Sequence, residues 1–189
     1  MRVIARKGMS AATMQEIARE AGVAKGTIYL YFRDRDELVE RTFETAIGEL
    51  RLRIDAALEL DVPFEEKLRA IFAAKIKFFG ENAEFFRLYA SLRIPEGTPR
   101  QQRRQKQTCQ PQYQAAIEKV TQFLKEAMDR GEIREADPTR LAIYLVEGST
   151  AIVLERLSEA SPPPAEEDVD FLVRLTLDGI GLRKKRGTH

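Results

Sequence analysis

Cysteine, histidine and long apolar runs are almost missing from these 189 residues, and each shortage excludes something. A lone cysteine, Cys109, cannot form an internal disulfide, and the lone histidine, His189, stands at the last position. No Cys/His/carboxylate grouping has metal-ligand spacing and no nucleophile motif is present, so neither an enzyme nor a bound cofactor or metal is expected. Glu65-Glu66 and Glu166-Glu167 are adjacent pairs, which a helix turns to different faces; they suit solvated helix starts rather than acid–base work. The most apolar run, residues 141–154, is interrupted by Glu147, Gly148 and Ser149 and falls short of the roughly 20 residues a membrane span needs. No secretory or arginine-rich transit segment precedes the first motif, so a soluble, cytoplasmic protein is expected. Strand-type alternation is also missing, which leaves an all-α chain whose 43% hydrophobic residues suffice for a core. Bulk charge is silent as well, since 31 basic and 30 acidic groups leave a net charge of +1.

The distribution of charge is not silent. Residues 1–35 hold seven basic groups (Arg2, Arg6, Lys7, Arg19, Lys25, Arg33, Arg35) against three acidic ones, and residues 36–63 hold three against eight. The sign reverses where one stretch ends, so a phosphate-facing surface belongs at the N-terminus. That stretch is residues 13–38, TMQEIAREAGVAKGTIYLYFRDRDEL. Thr13 and Glu16 have capping-box spacing and predict a helix from about Met14. Ile17, Ala18 and Ala21 form its apolar stripe, and Gly22 supplies the positive-φ residue at its end, with Val23 expected to return to the same core. A second helix over residues 24–30 is expected to turn Ile28 inward. Lys25, Thr27, Tyr29 and Tyr31 then stay outside, and Gly26 lets the backbone approach a partner closely. Asp34 and Glu37 repeat the capping logic for a third helix. Two short helices about a glycine turn, the second carrying basic, hydroxyl and phenolic groups, make a helix-turn-helix able to lie in the major groove.

The run I-A-x-x-A-G-V-x-x-G-T-I-Y-x-Y-F, Ile17 to Phe32, resembles the signature of the TetR family of bacterial transcriptional repressors. Gly8 and Arg35-Asp36-Glu37-Leu38 also fall where that family has a turn glycine and the start of its fourth helix. The match covers the first fifth of the chain. It implies that Lys25 faces bases or phosphates and that Thr27, Tyr29 and Tyr31 face the backbone; Arg35 and Gly26 are counted with them, and Thr13, at a helix N-terminus, is expected to offer its amide or hydroxyl to a phosphate. Lysine in a groove more often contacts phosphate than reads bases, so Lys25 is assigned mainly to affinity. Two positions depart from the family pattern. Ala24 stands where a capping serine is usual, and Met1 to Lys7 reads as a helix end without the roughly two further turns usual before it, so either the true start lies upstream of Met1 or the first helix is short. The alternative reading is therefore a dimeric small-molecule-binding or structural protein with an impaired DNA-binding domain.

Beyond Leu38 the spacing predicts helices over residues 38–60, 64–79, 84–94, 113–130, 139–157 and 165–182, with a break at 80–83 and an end to regularity at Pro95, Gly97 and Pro99. The polar stretch 100–112, with Arg100, Arg103, Arg104 and Lys106, reads as the start of a solvated helix, a mobile loop, or a basic rim for an anionic ligand. Arg183 to Arg186 suit the negative end of the last helix dipole. The helices over 139–157 and 165–182 are apolar on more than one face and need cover from outside a small bundle. Together with the resemblance, this implies a homodimer through these two helices, presenting its recognition helices about 34–36 Å apart to a pseudo-palindromic double-stranded operator. The domains are then residues 1–38, binding DNA, and residues 39–189, a helical effector-binding and dimerisation domain. Six of the ten phenylalanines fall between Phe64 and Phe86. The resemblance implies a small hydrophobic or amphipathic effector, and Phe72, Phe79, Phe85, Phe86, Tyr89 and Tyr113, with Lys75, Arg93, Cys109 and Glu147 as polar groups, are its candidate contacts. Repression relieved by a ligand-driven tilt of the 36–60 helix is the expected mechanism.

Overall fold

Every regular element among the described residues is a helix, apart from one isolated antiparallel bridge between Ile133 and Gly181. The computed structural model describes Val3, residues 12–86, Tyr89 and residues 99–181, with the backbone alone over 99–109. The turn at Gly8, the basic run 183–186, and most of the helix end expected over 1–7 and of the helix expected over 84–94 lie outside the described residues.

Helix α1 (Met14–Glu20) starts at the capping box its sequence encodes. Thr13 Oγ1 accepts from the Glu16 amide at 3.3 Å, and Glu16 Oε2 accepts from the Thr13 amide at 3.2 Å. It ends in a Schellman motif: the Gly22 amide donates to Arg19 O at 3.2 Å and the Val23 amide to Ala18 O at 3.0 Å. Gly22 sits at φ +69° to allow this. Val23 does not return to the core as expected; it is 41% exposed. Its amide closes the helix end, and α2 (Lys25–Tyr31) begins too soon afterwards for the side chain to turn back. The N-cap of α2 is Ala24, which makes no side-chain bond.

At the start of α3 (Arg35–Leu58) Asp34 Oδ1 accepts from the Glu37 amide at 2.8 Å, the first half of the expected box. The second half is different. Glu37 Oε2 accepts from the Arg33 amide at 2.9 Å and from Arg33 Nε at 3.0 Å, while Oε1 accepts from Arg41 Nη2 at 2.9 Å. Reaching one residue further back adds two guanidinium partners to the amide, which makes these bonds charge-assisted on both sides. The Arg33 amide, then the Arg33 side chain, hold the Glu37 carboxyl below its ordinary range.

Packing divides the chain into two units, residues 1–51 with 79–112 and residues 52–78 with 113–189. The core of the first contains a cluster of rings: Phe79 meets Phe86 edge-on at 4.6 Å, and Phe43 lies 5.6 Å from Phe85 and 6.3 Å from Tyr89. Phe43, Phe79, Phe85 and Phe86 are all buried, and Arg51 Nη2 donates to Gln112 Oε1 at the surface.

In the second unit α4 (Phe64–Glu81), α5 (Pro99–Asp129), α6 (Pro138–Ser158) and α7 (Ala165–Ile180) contribute their residues beyond 52 and outside 79–112. Phe64 stacks on Phe123 with centroids 5.1 Å apart. Lys119 pairs with Asp55, and Arg69 with Asp170. Arg156 Nη1 spans the proline turn by donating to Pro163 O at 2.6 Å and Asp168 Oδ2 at 2.8 Å. The cap expected at Asp137 is present, with Oδ1 accepting from the Thr139 and Arg140 amides at 3.0 Å each. One expectation changes and one open alternative is decided. The break at 80–83 shrinks to a turn at Asn82, because α4 runs through Gly80 to Glu81. The polar stretch 100–112 is helical and continuous with 113–129, although Pro111 lies inside it. Gln, Lys and Arg are good helix formers, so that stretch lost its apolar periodicity without losing its helix propensity.

Candidate nucleic-acid interface

Seven residues make α2, and Ile28, 7% exposed, is the one that is buried. At about 100° per residue, Lys25 and Tyr29 fall on one flank of the helix and Thr27 and Tyr31 on the other. Tyr29 and Tyr31 are 47% and 68% exposed. Lys25 Nζ lies 5.8 Å from the Tyr29 ring centroid, a cation–π contact that preorganises the flank. Gly26 and Leu30 form the crest opposite Ile28. A Cβ added at Gly26 would meet nothing within 4 Å, so the backbone there faces open space.

Thr13 and Arg35 are placed differently from the α2 residues. The Thr13 amide is held by Glu16, and its hydroxyl accepts from the Glu16 amide while keeping its own proton to donate. Arg35 folds back: Nη2 donates to Asp36 Oδ1 at 3.0 Å and Nη1 to Ala12 O at 3.4 Å, leaving the side chain 22% exposed. It ties the start of α3 to the residues before α1. Arg33, with a side chain 80% exposed and paired with Glu37, is the more outward guanidinium at this end of α2. Sequence reasoning passed over both Arg33 and Leu30. Leu30 carried a signal, since it lies two residues from the inward Ile28.

The candidate effector residues divide between the two units. Phe79, Phe86 and Tyr89 belong to the ring cluster of the first, where they pack on one another. Phe72, Lys75, Tyr113 and Glu147 belong to the second. Phe72 is buried, whereas Tyr113 and Glu147 are half-buried. Lys75 is 8% exposed and donates to Val146 O at 2.9 Å, Ser149 Oγ at 2.8 Å and Thr150 Oγ1 at 2.8 Å. Those three acceptors match the three protons of an ammonium and join α4 to α6. Arg93 and the side chain of Cys109 lie outside the described residues. Among the described residues, no group of three His, Cys, Asp or Glu is placed to hold a metal ion, and no helix is long and apolar enough to cross a membrane.

Residues 1–42 match the family model described as bacterial regulatory proteins, tetR family. Over 178 residues the chain is 28% identical to the HTH-type transcriptional regulator YhgD of Bacillus subtilis, covering 89% of this chain and 85% of that one. The N-terminal domain is that of the TetR family. A second relative, the fatty acid metabolism regulator protein of Bacillus subtilis, is 27% identical over 147 residues, covering 78% of this chain and 73% of that protein. The fold is shared with the transcriptional regulator FadR from Bacillus subtilis in complex with stearoyl-CoA, at a TM-score of 0.76, 22% identity and 94% of each chain. With this domain the chain is a DNA-binding transcriptional regulator. Its α1–α2 pair is the helix-turn-helix, and α2 the recognition helix.

Proposed function

We propose that this regulator is a repressor that binds a pseudo-palindromic operator as a homodimer in the cytoplasm and is released by an amphipathic effector. Residues 1–38 serve DNA, and residues 39–189 serve the effector and the second subunit. The observation that carries the reading is α2 itself, a helix with one buried anchor and polar groups on both flanks, which suits two walls of phosphate. Lys25, Thr27, Tyr29 and Tyr31 are the proposed backbone contacts, with Thr13 offering its hydroxyl and Gly26 allowing close approach.

Dimerisation is assigned to residues 139–157 and 165–182. Ile143, Tyr144, Leu154, Phe171 and Leu175 on α6 and α7 are 41%, 53%, 50%, 50% and 44% exposed, an apolar content that a second copy would cover. A long-chain acyl thioester is the effector class we favour. Two relatives support it, one named for fatty acid metabolism and one holding stearoyl-CoA. Phe72 supplies apolar surface and Tyr113 and Glu147 polar groups within one unit, while Lys75 is engaged in joining α4 to α6. Binding that favours a tilted α3 by about 1–3 kcal/mol changes operator affinity about 5- to 150-fold.

Gel shift on a duplex selected from a random library, across a salt series, tests the reading. A specific complex with a steep salt slope, dissolved by stearoyl-CoA, supports it. Lys25→Ala is expected to lower that slope by about 1 for each phosphate no longer neutralised, about 2 for a dimer, and Tyr29→Ala to weaken binding, both with an unchanged melting temperature because both residues are exposed. Weak, shallow, non-specific binding by the unaltered protein supports the alternative of an impaired DNA-binding domain.

A further inference from the structure

Leu30 is 81% exposed, the most exposed large apolar side chain among the described residues, yet it lies on the helix that carries the polar contacts. Ile28 fixes the rotation of α2. At about 100° per residue, both Gly26 and Leu30 lie within about 20° of the direction opposite Ile28. If the flanking Lys25/Tyr29 and Thr27/Tyr31 pairs meet the two phosphate walls, the crest between them faces the base edges. That crest bears a glycine, with open space around it, and one apolar side chain. It carries no side-chain donor or acceptor with which to read a base edge by hydrogen bonding. The apolar feature that a base presents in the major groove is the C5 methyl of thymine.

We propose that Leu30 reads a thymine methyl in each half-site and is a specificity-determining residue of this regulator. The proposal rests on the DNA-binding reading above. Gly26 lets the helix backbone sink far enough for a four-carbon side chain one turn later to reach the methyl. The Leu30 surface left open in the free chain is then covered only on a duplex carrying thymine at one position. This is a base contact independent of charge, so it adds nothing to the salt slope, which the flanks set.

The test uses the full chain and a duplex selected from a random library by the unaltered protein. Each thymine of both half-sites is replaced in turn by deoxyuridine, which removes the methyl and leaves the pairing edge intact. At one position per half-site the unaltered protein is expected to lose about fourfold for each methyl, or about 15-fold for a symmetric pair. Leu30→Ala is expected to bind the thymine duplex with that weaker affinity, to bind both duplexes equally, and to keep the salt slope and melting temperature. If the unaltered protein binds its duplex with no thymine position that matters, or if Leu30→Ala still separates thymine from deoxyuridine, this inference falls alone. Failure of the unaltered protein to select any duplex overturns it together with the DNA-binding reading.

Discussion

Ala24 holds the N-cap of α2 with the extended backbone a cap requires, φ −65° and ψ 146°, and has no side-chain oxygen to offer. The first turn of the seven-residue α2 therefore has no side-chain cap from this position, although the Thr27 amide donates to Ala24 O at 3.0 Å. Ala24→Ser is expected to add about 0.5–1 kcal/mol of stability, read as a higher denaturation midpoint with an unchanged slope. An equal or lower midpoint would show that the cap position is not limiting. Lys75 is the opposite case at the same scale. A buried ammonium is costly unless its protons are taken up, and here a carbonyl and two hydroxyls on α6 take all three. The hydroxyls in turn donate to Leu145 O and Val146 O at 2.6 Å, so the bonds form a chain through the helix backbone.

At the scale of elements, the start of α3 depends on the charge of Glu37. A carboxyl whose pKa in the folded chain lies below its ordinary 4.5 contributes stability that is fully present above 4.5 and is lost as pH falls through the folded value. Glu37→Gln is thus expected to be less stable than the unaltered chain at pH 7, with the difference closing below pH 4.5 as the native carboxyl takes up its proton. Denaturation midpoints across pH check this, and a pH-independent difference would assign the loss to packing instead. Element boundaries set by neighbours in sequence were legible: the Thr13/Glu16 box, the glycine stop at Gly22, and the Asp137 cap with its proline. So was the rotation of α2, because one inward Ile28 orients a short helix. What depended on competing partners was not. Glu37 had a guanidinium within reach as well as an N-cap amide, and Val23 had an amide and a side chain to place. The acceptors of Lys75 lie more than 70 positions away, where sequence spacing carries no information. Residues 100–112 were open between helix and loop, because polarity weakens the periodic signal while leaving the backbone free to be helical.

For the whole molecule, the apolar side chains on α6 and α7 connect oligomeric state to affinity. Phe171→Glu puts a charge where Phe171 is 50% exposed in one copy. We expect sedimentation to show a monomer, circular dichroism to show unchanged helix, and operator affinity to fall by about 100-fold or more as the second recognition helix is no longer tethered. A variant that stays dimeric would move the interface elsewhere. The long α5 has a further consequence. Pro111 cannot donate to the carbonyl four residues earlier and costs a helix interior about 3 kcal/mol or more. It falls one residue before the last residue that packs with the first unit, Gln112; from Tyr113 onward the same helix packs with the second. A continuous ladder would oblige the helix to open as one body. With a rung missing at this place, amide protons on either side are released by separate openings, and hydrogen exchange should record two protection plateaus along one unbroken helix.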